Sequence, residues 1–152
     1  MVKKKRTKKA KRSPRQKMLI ELDLLWPKVI KYRDKWTCQW TGCGKVHATN
    51  DRSCHASHIK PRSKGHWARF ELSNGKALCH YHHMGVWHKD PIAADKFIKV
   101  YAANVGLDLD WLTRNAEQTI KYTNDDLQEM IWEMEKLLEL YKTEYDDQLP
   151  QT

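Results

Sequence analysis

Cys38 and Cys43 flank a Gln-Trp-Thr-Gly turn, and Cys79 and His82, with two residues between them, follow 36 positions after Cys43. Thiolate and imidazole are donors that Zn²⁺ prefers, and two such knuckles can wrap four of them tetrahedrally around one ion. The spacing predicts a structural zinc site of Cys38, Cys43, Cys79 and His82, with Cys54 or His83 as the alternative to His82. Between and just after the knuckles stand His55, His58, Asn74, His83 and His88. Imidazole titrates near ambient pH, so it can take a proton from water or bind a further cation. Phosphodiester hydrolysis needs such a base, a Lewis acid on the phosphate and cations that hold the backbone. Lys60, Arg62, Lys64 and Arg69 cluster by sequence around His58 and suit the last of these needs as DNA phosphate contacts.

These side chains need a frame, and the expected fold class is α+β. Leu19, Leu22, Leu25, Trp26, Val29 and Ile30 recur at helical spacing, with a kink or restart expected at Pro27. Residues 34–71 read as loops and short strands, Ser73-Asn74-Gly75 as a turn, and Cys79 to Trp87 as the opening of a helix. Asp90-Pro91 starts another helix, which Gly106 stops after about Asn104. Thr123 to Tyr145 is the clearest helix. Thr123 and Asp126 resemble a capping box, and Leu127, Met130, Ile131, Met134, Leu137, Leu138 and Tyr141 form one apolar stripe. That stripe predicts packing on the domain, with a homodimer seam as the alternative.

Strand side chains alternate, so His55 and Ser57 fall on the face opposite His58, and either one could complete a set of metal ligands. His88 lies five residues beyond His83, about 140° round an α-helix, and fits a shared ligand face poorly. It is kept as a lower-ranked ligand or phosphate contact. His47, His66 and His80 are expected at the surface without chemistry. Trp36, Trp40, Trp67 and Trp87 are expected mainly as packing.

Of the 152 residues, 28 are Lys or Arg and 19 are Asp or Glu, a net charge of +9 that is unevenly spread. Residues 1–17 hold ten bases and no acid and read as a disordered arm suited to phosphate, whereas residues 108–152 hold four bases and twelve acids. Four Cys beside eight His argue for metal ligation in a reducing compartment over a disulfide framework. No apolar run approaches a membrane span, so an intracellular protein with no membrane partner is expected.

The run His55-Ala56-Ser57-His58-Ile59-Lys60-Pro61, then Asn74, then Leu78-Cys79-His80-Tyr81-His82-His83 resembles the HNH, or ββα-metal, nucleases. Ile30-Lys31-Tyr32-Arg33-Asp34 before the first knuckle, Cys43-Gly44, Arg69-Phe70 and the helix from Thr123 narrow the likeness to the phage NinG (Rap) recombination endonucleases. Two departures from that pattern stand out: four residues separate the first pair of cysteines where two are usual, and His82 stands where the family often has Cys.

The resemblance implies a zinc-stabilised HNH finger over about residues 36–90, a helical part over 91–145 and a tail over 146–152, flanked by the N-terminal helix. It implies His58 as general base and Asn74 as the residue that orients its turn. His83 would bind a catalytic Mg²⁺ or Mn²⁺. The family often has Asp at the position matching His55, which selects His55 over Ser57 as a second ligand. The implied activity is metal-dependent cleavage of branched or structured DNA in phage recombination, in the host cytoplasm. The alternatives are a homing-type or packaging-associated nicking endonuclease and a non-catalytic zinc-finger DNA-binding module. The last has no need of His58 and His83 beyond the zinc ligands.

Overall fold

The computed structural model describes residues 10–150. Met1–Lys9, most of the expected arm, lies outside the described residues. The first helix begins earlier than expected. The Ser13 hydroxyl accepts from the Gln16 N–H while Gln16 Oε1 accepts from the Ser13 N–H, and Pro14 supplies a pre-set first position, so α1 spans Pro14–Arg33. The arm boundary therefore moves from Lys17 to Ser13. Arg15, counted with the arm, instead donates to the Tyr122 carbonyl and to Asn124 Oδ1. Pro27 lies within α1 without ending it. A proline removes one intrahelical bond, and Trp26, Val29 and Ile30 are buried around it.

The long helix α5 spans Asn124–Asp147, with the Thr123–Asp126 capping box that the sequence predicts. It runs beside α1 in the same direction, since Arg15 meets Tyr122 at one end and Tyr32 packs against Tyr145 at the other. Leu127, Ile131, Met134 and Leu138 bury themselves against Leu22, Trp26, Val29, Ile30 and Phe70. Each such side chain contributes about 1.5–3 kcal/mol of transfer free energy before entropy is set against it. The stripe expected as a possible homodimer seam is thus occupied by α1 within the chain.

Two antiparallel strands, β1 (Cys54–His58) and β2 (Gly75–Cys79), pair Cys54 with Cys79 and His58 with Gly75. Every residue of β2 is buried. One face, carrying Ala56, His58 and Gly75, lies on α1; a Cβ added at Gly75 would come within 2.5 Å of Trp26 and 2.7 Å of Ile30. Between the strands are a 3₁₀ turn at Arg62–Lys64 and the short helix α2, His66–Phe70.

After β2 the chain enters a π-helical segment, Tyr81–Trp87, where the sequence suggests an ordinary helix. Then come α3 (Pro91–Val105), capped by Asp90 and stopped at Gly106 in the left-handed region, and α4 (Leu109–Ala116). The pattern did not predict α4. The Asp108 side chain caps it by accepting from the Trp111 N–H, and Leu112 and Ala116 are buried. The fold class is α+β, mostly helical with one small sheet. Among the described residues no helix is long and apolar enough to cross a membrane.

Candidate functional site

The first knuckle lies in a loop whose ends meet through the Thr37–Val46 bridge, with Gly42 and Gly44 at positive φ. The second is the end of β2 and the start of the π-helical segment. Together they bring the donor atoms of Cys38, Cys43, Cys79 and His82 within 4.8 Å of one another. His82 Nδ1 is 3.6 Å from Cys38 Sγ and 3.2 Å from Cys79 Sγ. Ligand bonds of about 2.0–2.3 Å give a zinc tetrahedron edges of roughly 3.3–3.8 Å, close to the two separations measured from His82. They can hold a structural metal such as zinc. Burial pushes the Cys38 thiol up to about 12, so metal entry must displace its proton. Trp40 stacks on His82 at 5.0 Å and on Phe97 at 4.4 Å, tying the group to the core.

Cys54 is not in this group. It faces Cys79 across the sheet and is buried with Trp36 and Ala77, where desolvation raises its thiol to about 11. That resolves the choice of fourth ligand in favour of His82.

His58 closes β1. Its ring stacks on Trp26 at 3.9 Å with planes 3° apart, and Nε2 lies 2.9 Å from the Arg69 carbonyl. A carbonyl can only accept, so Nε2 carries the hydrogen and Nδ1 keeps its lone pair. Burial lowers the His58 pKa; the Arg69 carbonyl opposes this, the Arg62 and Lys76 charges reinforce it, and Asp23 resists it.

Asn74 does not face solvent at all. Its Oδ1 accepts from the Lys60 N–H at 2.7 Å, and its Nδ2 donates to the carbonyls of Lys60 and Ala68 at 2.9 and 2.6 Å. It clasps the chain just after His58 to the helix whose Arg69 carbonyl holds the ring.

His83 and His55 meet. Their Nδ1 atoms are 2.7 Å apart, and His83 Nε2 is 3.0 Å from His88 Nε2. The second contact corrects the low rank given to His88. The segment is π-helical there, and the His88 N–H bonds the His83 carbonyl at 3.3 Å, so a five-residue step closes one turn instead of overshooting it. If His83 Nε2–H donates to His88, the His83 Nδ1 lone pair is left facing His55. Burial, aided by the neighbouring imidazoles, brings His83 down to about 4, which keeps it neutral and able to ligate. Ser57, the other candidate ligand, has its hydroxyl buried without a partner. An open cleft of about 350 Å³ is lined by His58, Ile59, Arg62, His83, Trp87 and His88. The base candidate thus borders the same space as His83 and His88.

Comparison with protein-family models, curated proteins and solved structures finds no significant match.

The four expected phosphate contacts separate. Arg62 and Lys64 are exposed on the 3₁₀ turn, and Arg62 lines the cleft. Lys60 is half-buried, with its N–H engaged by Asn74. Arg69 is corrected, because its guanidinium forms a two-pronged ion pair with Asp23 and is not left free for phosphate. Its part at the site is the carbonyl that holds His58. His47, expected at the surface, is buried with Nδ1 at 3.0 Å from Asp51. The sequence signal for it was Asp51 at the four-residue spacing of a local pair.

Proposed function

We propose that the chain is a divalent-metal-dependent DNA endonuclease, with β1, β2 and the segment after them acting as a zinc-stiffened HNH finger. One observation carries this reading: His58, with its Nδ1 left unprotonated, borders the same cleft as His83 and His88, and His83 in turn meets His55 behind it. A zinc-binding module needs neither. His58 would accept the proton of the attacking water at Nδ1, and the Arg69 carbonyl would then stabilise the imidazolium through Nε2–H. Asn74 holds that arrangement in place, and Asp23, by engaging the Arg69 guanidinium, steadies the helix that offers the carbonyl. Arg62, with Lys60 and Lys64 beside it, would hold the phosphodiester backbone.

A divalent ion held by His55 and His83, with His88 fixing the His83 tautomer, would supply Lewis acidity at the phosphate. An all-imidazole set suits borderline ions such as Fe²⁺, Ni²⁺ or Zn²⁺ best, and of the two oxygen-preferring ions it accepts Mn²⁺ more readily than Mg²⁺. The phage recombination type that the sequence resembles makes branched DNA the first substrate to examine.

The test is single-turnover cleavage of duplex, single-stranded, flapped and four-way-junction DNA with Mn²⁺ or Mg²⁺, by the parent and His58→Ala. The expected result is Mn²⁺-dependent cutting that falls by about 10²–10⁴ in the variant. Equal cutting by the two proteins would remove His58 from the chemistry. DNA binding without cutting under any metal would leave the non-catalytic zinc module.

A further inference from the structure

Trp111 is 39% exposed on α4, which Leu112 and Ala116 anchor from its buried side. Its indole meets that of Trp67 on α2, with ring centres 5.5 Å apart and planes 72° to one another. In an edge-to-face pair the partner covers neither face of the ring that offers its edge, and only one face of the other. The two indoles are therefore walls of a notch, where a third flat ring can stack on one while touching the other. Packing α4 on α2 accounts for their contact and leaves the notch over.

The charges around it select the kind of ring. Trp67 follows directly on the 3₁₀ turn that carries Arg62 and Lys64, both exposed. Among the described residues neither cation is in an ion pair. Arg114, three positions after Trp111 and so beside it on the helix, is exposed as well. The acids nearby are Asp108, engaged as the α4 cap, and Asp110. The positive side of the notch is thus that of α2. An aromatic platform beside free cations is the chemistry that takes up a single nucleic-acid strand, its bases on the rings and its phosphates on the cations. Trp132, at 54% exposure, lacks both features: the Lys136 amine already lies 3.3 Å from its ring centre, and Glu129, Glu133 and Glu135 surround it in sequence.

The notch and the cleft share a support. Trp67 stands two residues, about 3 Å along the helix axis, before the Arg69 carbonyl that holds His58. Arg62 lines the cleft itself. A strand held by Arg62 therefore passes from the cleft towards the notch.

We propose that Trp67 and Trp111 form a stacking seat for one unpaired nucleobase, with Arg62 and Lys64 on the phosphates beside it. The seat rests on the reading of DNA as the ligand, but not on cleavage. In an intact duplex each base already lies between its neighbours, so the seat favours DNA that offers an unpaired base.

The test is binding by the zinc-loaded full chain, without added Mg²⁺ or Mn²⁺, of a short oligothymidylate carrying one 5-iodouracil and of a blunt duplex. The parent, Trp111→Ala and Trp111→Phe are compared, and photocross-links are mapped by mass spectrometry. Trp111→Ala should weaken single-strand binding by about fivefold to 150-fold and leave duplex binding nearly unchanged, while Trp111→Phe should restore most of the loss. The parental cross-link should fall on Trp67 or Trp111. Equal single-strand affinity in the parent and Trp111→Ala, or an equal loss on both DNAs, overturns the proposal. Should Trp111→Ala not fold, the parent decides, and a cross-link at neither tryptophan overturns the proposal too. A parent that binds no single strand leaves the notch to an aromatic side chain of a protein partner and overturns it likewise. Cross-linking at the notch in a protein that cuts no DNA under any metal would sink the nuclease reading and leave the seat standing; cutting that Trp111→Ala retains, with unchanged single-strand affinity, would do the reverse.

Discussion

Replacing Asn74 with alanine should destabilise the fold more than any other single polar substitution near the cleft. The side chain makes three hydrogen bonds, to the Lys60 N–H, the Lys60 carbonyl and the Ala68 carbonyl, from a position with 0% exposure. At about 0.5–1.5 kcal/mol net each, with a further penalty for the groups left unpaired, the loss comes to roughly 3–5 kcal/mol. A domain of this size has only about 5–15 kcal/mol in total. Asn74→Asp separates the clasp from mere filling. It keeps the oxygen that accepts from Lys60 but turns a second oxygen on two carbonyls that Nδ2 now meets at 2.9 and 2.6 Å. Its folded-state pKa must therefore lie above the unfolded value of about 3.9. Stability is then fully present below that unfolded value and is lost as pH rises through the raised one. At pH 7 the Asp variant should be the less stable of the two, and the gap should close towards pH 4. Urea unfolding at both pH values reads this directly. An Ala variant within 1 kcal/mol of the parent, or an Asp variant whose stability ignores pH, would refute the clasp.

Stripping the metal, or replacing Cys79 with Ser, should unfold the finger around Trp40 and Phe97, seen as loss of near-UV circular dichroism and release of one zinc per chain; a variant that melts like the parent would contradict this. Because burial lowers the His58 pKa and the proposed base is the neutral ring, the acid limb of cleavage should fall below pH 6.5, the ordinary histidine value; a limb above it would count against His58. Gly75→Ala should cost about 1–3 kcal/mol by driving a methyl into Trp26 and Ile30, and should slow cleavage beyond that, because Trp26 carries the His58 stack. Thermal melts and cleavage rates together decide whether both effects appear.

The features legible in the sequence are those encoded by neighbours in the chain. The Thr123 capping box, the Asp90-Pro91 start and the Gly106 stop need only local hydrogen bonds or backbone freedom, and the structure has all three. The zinc donors were legible for a related reason, since each knuckle is a local pair and only the closure between pairs is long-range. Partners distant in sequence left no trace. Nothing near Arg69 announces Asp23, 46 residues away, so its charge read as a phosphate contact. Likewise Trp26 counted as one more apolar residue of a helix stripe, when its ring also forms the floor on which His58 lies.

The His83–His88 pair was missed for a subtler reason. An α-helical step of 100° per residue throws a five-residue pair off a common face, and the sequence offers no rule for abandoning that step. In the structure, both knuckle residues of the second pair belong to the Cys₃His cluster, and His83, the next residue after His82, turns instead towards His55 on β1. Two adjacent side chains thus belong to two different side-chain clusters. Widening the turn from four residues to five brings His88 back over His83 and supplies the partner its second nitrogen requires. On this view the π-helical turn follows from the adjacency of the two sites, and its irregular hydrogen bonding is offset by the imidazole contact it creates.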